Sequence, residues 1–406
     1  MAWIGRKKIA FIPVFRPNAH PPDVIPADWN NDILRRVLFD PDTKTGIDRS
    51  LRAYIHAASS GRADLDVIVR PMATIDLQDV RLEFLDGLLD GPGLRNLGFD
   101  AAAIVMLGGP GAGTSQRGGF WARFVMAERL GTWAMELMHV LTGFADIRCQ
   151  PAFIDCPNDA GDIGFFDEMA FAGGTHPSAY TKAAIGWLDP SAIVLHSNHT
   201  QAVSYALHAV GLVQPPPTGR STAVRIGSHV PYLMVEARLM VDQFESPSQL
   251  ETGIPSQGVI VYRVQTSDPL GAAQGADPIH PNIPVFLLTP TALKVGQSFT
   301  QGDLKVKVVN SLPGGFTVSV DDSLKATGFV TSYEAERVDP NRPPGPNNPL
   351  IQTIEIDSKP GFIFTATGGP NYAALVKNAQ KNHRKVEIAY TSTGPSSGKI
   401  VSVKLA

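Results

Sequence analysis

Glu136 and His139 stand in the stretch Trp133-Ala-Met-Glu-Leu-Met-His-Val-Leu-Thr-Gly-Phe-Ala-Asp146, at a spacing that puts a carboxylate and an imidazole on one face of an α-helix. In a helical H-E-x-x-H motif, two histidines one turn apart hold a zinc ion and the glutamate acts as general base on the metal-bound water. Here Met135 stands at the first histidine position. A thioether is a neutral, soft donor that suits copper(I) better than zinc(II), so zinc binding is weakened by Met135. A reading without chemistry is also open, in which His139 is a satisfied core histidine and Glu136 its hydrogen-bond partner one turn away.

The element that must position this pair is expected to be buried. Between Phe120 and Leu141 the residues Trp121, Phe124, Val125, Leu130, Trp133, Leu137 and Met138 read as one or two helices, apolar on much of their circumference, as buried helices are. A glutamate and a histidine inside such a helix cost several kcal/mol, to order of magnitude, unless they are paired, hydrogen-bonded or coordinated. Upstream, Lys8 to Val14, Leu65 to Val69 and Ala101 to Leu107 are strand candidates, and Arg49 to Ala58 and Leu77 to Leu89 carry helical spacing. The cluster Gly108-Gly-Pro-Gly-Ala-Gly113 lacks the G-K-[ST] ending of a phosphate-binding loop and reads as a tight turn. No G-x-S-x-G elbow supports a serine hydrolase.

Four blocks resemble a known family. The segment Phe166-Asp-Glu-Met-Ala-Phe-Ala-Gly-Gly-Thr-His-Pro-Ser-Ala-Tyr-Thr-Lys-Ala-Ala-Ile-Gly-Trp-Leu-Asp-Pro190 is similar to the second signature of the immune inhibitor A type of secreted bacterial metallopeptidases. In that family a D-x-M turn follows the zinc helix and precedes a helix ending in K-x-x-x-G-W-L. Met169, Lys182, Gly186 and Trp187 occupy the matching positions. Ser50 to Asp66 resembles the family's upstream helix and the strand after it. Tyr232-Leu-Met-Val-Glu-Ala-Arg238 and Gly258-Val-Ile-Val-Tyr262 resemble the paired strands that close its catalytic domain.

The resemblance implies an α+β fold, with a zincin-like metallopeptidase domain over residues 1–280 followed by small β-sandwich-like modules. It implies zinc as cofactor and a protein or peptide as substrate or ligand. It also implies Glu136 as general base and His139 as a metal ligand. For the missing ligand the first candidate is Glu236, with Asp146, Glu168 and His176 behind it. The glycine after His139 is displaced by one residue to Gly143, and Asp146 is shifted with it. His176, on the turn Gly173-Gly-Thr-His-Pro177, reads either as a proton donor or oxyanion partner near the cleft or as a turn residue.

The bulk composition narrows the remaining choices. A net charge of −3 gives no basic surface for nucleic acid, and no apolar run is long enough to span a membrane. The opening residues carry no signal peptide pattern, since Pro13 breaks the short apolar run, whereas the resemblance implies secretion. Cys149 and Cys156 either close a small disulfide loop or stay reduced. Residues 281–337 are expected as a small antiparallel β module, and residues 338–406 as a β-rich domain after a proline-rich linker. Three roles follow: a metallopeptidase-like binding or scaffold protein with an impaired or noncanonical zinc site, a working zinc endopeptidase with substitute ligands, or an adhesion protein acting through its C-terminal β modules.

Overall fold

The computed structural model describes residues 2–18, 23–43, 45–75, 81–107, 113–147, 161–196, 201–227, 231–247, 253–264, 285–302, 304–322, 324–328, 330–337, 350–356, 363–367, 372–382, 384–394 and 397–405. Cys149, Cys156, most of the 108–113 glycine cluster and the 338–349 linker lie outside them. The chain is a mixed α/β protein with several sheets. It forms two compact units that alternate along the sequence, one of Met1–His196, Ala206–Val295 and Asn310–Thr317, the other of Ser197–Tyr205, Gly296–Val309 and Val318–Ala406.

In the first unit, β1 (Gly5–Phe15), β2 (Ala63–Val69), β3 (Ala73–Thr74), β4 (Ala101–Met106), β5 (Thr114–Ser115) and β6 (Trp121–Val125) share one sheet. The order is β2-β1-β4-β6-β5, with β3 also beside β1. All the pairings are parallel except that of β5, which runs antiparallel at the edge. Side chains alternate across this sheet. Ile9, Phe11, Ala103, Val105, Ala122 and Phe124 enter one core, shared with α1 (Trp29–Leu38), α2 (Leu51–Ala58) and α5 (Leu130–Thr142). Ala10, Ile12, Val14, Ile104, Trp121 and Val125 enter a second core on the opposite face, closed by Leu85 of α3 (Leu85–Leu88) and Leu94 of α4 (Gly91–Asn96).

This two-sided burial corrects the helix expected from Phe120. Residues 121–125 are apolar on both sides because β6 is a covered strand, not because a helix is buried all round. The helix begins only at Leu130. A second sheet in this unit runs Gly161–Asp162, Val285–Leu287, Gly258–Val264, Tyr232–Arg238, Ala223–Ile226, Ile193–His196 in that order. Val285–Leu287 therefore belongs with the expected peptidase-like region, since it is hydrogen-bonded to Gly258–Val264. The alternating segments after it form strands Leu304–Leu312 and Gly315–Asp321.

In the second unit, strands Leu324–Gly328, Val386–Gly394, Ser397–Leu405, Ile363–Thr367, Leu350–Ile356 and Val330–Arg337 form one sheet in that order. A helix at Ala373–Lys381 packs its Val376 and Ala379 against Ile354, Val386 and Ile388. The apolar stripe of this helix covers part of one face of the sheet.

Candidate functional site

Helix α5 is fixed before its polar groups are considered. Trp133 stacks on Phe124 with ring centroids 4.7 Å apart and on Phe11 at 6.0 Å, and the Arg36 guanidinium lies 4.9 Å over the Trp133 ring. Gly113 lets the start of the edge strand lie against the helix. A Cβ there would come within 2.8 Å of both Glu136 Cγ and Thr132 Cγ2. At the other end Gly143 adopts φ 75°, a left-handed cap, and donates its N–H to the His139 carbonyl. The same carbonyl accepts from Gly118 N at 2.9 Å, where Gly118 and Gly143 pass close to each other.

A cavity of roughly 490 Å³ opens along this helix, lined by Ser115, Met135, Glu136, His139 and Asp146, with Phe171 on its wall and Arg117 and Arg129 also contributing. Ser115 Oγ donates to Glu136 Oε2 at 2.6 Å. Ser115, Arg117, Arg129 and Phe171 were not singled out from the sequence: a strand of two residues has no periodicity to read, and the other three sit in loops or beside a helix end. The Gly113-Thr-Ser115 run after the glycine cluster was the available signal.

The turn after α5 brings Asp146 back to His139. Thr142 Oγ1 accepts from Phe144 N at 3.0 Å, and Ile147 N donates to Met169 O at 3.1 Å, which ties the turn at both ends. His139 Nδ1 lies 2.6 Å from the Phe144 carbonyl and Nε2 lies 3.0 Å from Asp146 Oδ1. Each nitrogen thus faces an oxygen, an arrangement that a doubly protonated ring satisfies. Burial by itself lowers the His139 pKa, but Asp146, Glu136 and the Phe144 carbonyl outweigh it and hold the imidazole above its ordinary value. Moving the glycine to 143 lets the helix run through Thr142, and the turn still delivers Asp146 to the histidine.

The other candidates do other work. Glu236, expected first as the missing ligand, accepts from Ala179 N, Tyr262 Oη and the Arg238 guanidinium at 2.8, 2.8 and 3.2 Å and is fully buried. Burial raises its pKa against the pull of Arg238. Arg238 also donates to Glu245 at 2.7 Å and to the carbonyls of Phe166 and His176. His176 is fully buried, with Lys182 Nζ 3.5 Å from its Nδ1 and Asp242 Oδ2 2.9 Å from its Nε2, the N–H not aligned on that oxygen. Glu168 is buried against the first turn of α5, beside Gly131. Glu168, His176 and Glu236 do not line the cavity among the described residues. A catalytic His176 would need that access, so its place in the buried network favours the structural role.

The signature residues belong to this same network. Asp167 accepts from Met169 N, Ser178 N and Thr181 Oγ1 at 2.8, 2.7 and 2.7 Å and so anchors the start of α6 (Ala179–Ala184). Trp187 donates its ring N–H to Trp3 O at 3.0 Å, and Gly186, at φ +87°, leaves room for Ala2.

The donors at the cavity do not fit a zinc site. Zinc at a peptidase centre takes three protein ligands of nitrogen, carboxylate or thiolate type. The cavity offers one imidazole whose nitrogens are both hydrogen-bonded, the Asp146 carboxylate paired to it, the Glu136 carboxylate hydrogen-bonded by Ser115, and a thioether. Among the described residues no group of three or more histidine, cysteine, aspartate or glutamate side chains is placed to hold a metal ion. No protein-family model matches the chain, and no curated protein matches it. No helix among the described residues is long and apolar enough to cross a membrane.

Proposed function

We propose that the first unit is a metallopeptidase-type domain of the immune inhibitor A kind whose cleft binds an extended protein or peptide segment and does not turn it over through zinc. The observation that carries this reading is the convergence of Glu136, His139 and Asp146 on one cavity, two of them joined across the Gly143 turn at 3.0 Å. The edge strand β5 borders the same cavity through Thr114 and Ser115, and an extended segment can add to such an edge by backbone hydrogen bonds. Against turnover stand Met135 and the double engagement of His139.

Metal analysis of the purified protein and a casein cleavage assay test the reading. The expected result is less than one zinc per chain and no cleavage. Met135→His is expected to raise zinc affinity steeply, because it supplies the imidazole one turn from His139. Stoichiometric zinc in the unaltered protein, with proteolysis that a chelator stops, overturns the proposal in favour of a working endopeptidase. In that event Glu136→Ala should abolish cleavage while the fold is retained.

A further inference from the structure

We propose that a second pocket of the first unit binds a small organic anion, bearing a carboxylate or phosphate group, on Arg62 and Arg220. Both arginines line one cavity of roughly 320 Å³, which shares no lining residue with the cavity along α5. That volume lies at the lower end of the range for small-molecule sites, about 300–1,000 Å³. Among the described residues the charged groups on its lining are these two arginines and Asp189, so positive charge is in excess. Leu188, Pro215 and Pro216 give the same cavity an apolar wall. Guanidinium forks match carboxylate and phosphate oxygens, and the apolar wall suits the carbon skeleton of an organic acid or ester rather than a bare inorganic ion.

The two arginines are positioned by the backbone and keep donors for a ligand. Arg62 donates from Nη1 to the Gly186 carbonyl at 3.1 Å, and Arg220 donates from Nη1 to the Pro313 carbonyl at 2.5 Å. A guanidinium has five N–H donors, and among the described residues neither arginine forms an ion pair with a carboxylate. Asp189 is engaged elsewhere, accepting from Ser191 N at 2.9 Å to cap the short 3-10 turn Pro190–Ala192. The segments that carry the arginines are tied together beside the cavity. Ser60 adopts φ 55°, a left-handed conformation unfavourable to a non-glycine residue, and its Oγ accepts from Gln214 N at 3.1 Å. The Gln214 side chain accepts from Thr222 Oγ1 at 2.7 Å and donates to the Leu212 carbonyl at 3.1 Å, so the loop running to Arg220 is fixed before any ligand arrives.

The test titrates the full chain by calorimetry at low salt with phenyl phosphate, phthalate and inorganic phosphate. One molecule of phenyl phosphate or of phthalate per chain is expected, bound more tightly than inorganic phosphate, and the preference between the two tells a phosphate ester from a carboxylate. Arg62→Gln and Arg220→Gln should each weaken binding by about tenfold or more, the worth of a hydrogen bond to a charged group. Each glutamine retains an amide N–H for the backbone carbonyl, and the urea midpoint should stay where it is. Asp189→Asn keeps a side chain that caps the turn and removes the negative charge from the lining, so binding should tighten by about two- to fivefold, a gain that no folding defect produces. No binding of either organic anion in the millimolar range, inorganic phosphate bound as tightly as both, affinity unchanged in either arginine variant, or no gain in Asp189→Asn overturns the proposal. The cavity along α5 takes no part in these outcomes, and the zinc and cleavage measurements address it separately.

Discussion

Replacing Gly131 by alanine reverses the usual effect of that substitution in a helix. Gly131 is the second residue of α5, and alanine is ordinarily favoured over glycine inside helices by about 1 kcal/mol. Here an added Cβ would stand 2.5 Å from Glu168 Oε1 and 2.7 Å from the Ala172 carbonyl carbon, and it would also run into Gly174 N. Two of the three obstacles are backbone, so the segment that supplies Ala170, Phe171 and Ala172 to the cavity wall must move. Overpacking of this kind costs about 1–3 kcal/mol or more, and with backbone in the way the upper end applies. A net loss of about 2 kcal/mol is expected. The comparison is Gly87→Ala, in α3, where an added Cβ meets nothing within 4 Å and a gain of about 0.4–1 kcal/mol is expected. Urea unfolding followed by tryptophan fluorescence reports both, as shifts of the midpoint at constant slope. A Gly131→Ala midpoint at or above that of the unaltered protein would refute the close approach of the cavity wall to α5.

Two further outcomes follow from the buried polar network. Arg238→Met leaves Glu236 and Glu245, both fully buried, without their shared cation, and should lower stability by about 3–5 kcal/mol; a urea midpoint within error of wild type would contradict that pairing. Lys182, whose burial, aided by the nearby Arg238 charge, depresses its pKa to about 8 from 10.5, binds a proton less readily folded than unfolded. Stability should therefore rise with pH between about 8 and 10.5 and stay flat below that window as far as this group is concerned. Lys182→Met should remove that slope, and a slope that persists unchanged would assign it elsewhere.

The sequence made the strands β1 and β4 legible through continuous apolar runs and β2 through its alternation, and α5 legible from Leu130 onward because its polar pair sits at helical spacing. It misled at Trp121 to Val125, since a strand covered on both faces and a buried helix share the same run of apolar residues. Glu136 and His139 were readable from their spacing, whereas Asp146 entered only through the resemblance, since its own spacing is not diagnostic. Glu236 looked like a ligand because an acid on an apolar strand demands a partner. Its partner is Arg238, two residues away on the same strand, and nothing in the strand's alternation announces that Arg238 is fully buried too. Ser115 was out of reach because β5 is two residues long and gains its position from β6.

The three hydrogen bonds to Asp167 bear on how such a chain can change over time. Asp167, Lys182 and Trp187 hold α6 and the start of the chain together whether or not any bond is ever cut in the cavity. Met135 holds no such hydrogen bond among those described; it lines the cavity and packs in the core. A changed side chain at position 135 therefore alters what faces the cavity while the anchorage of α6 stays as it is.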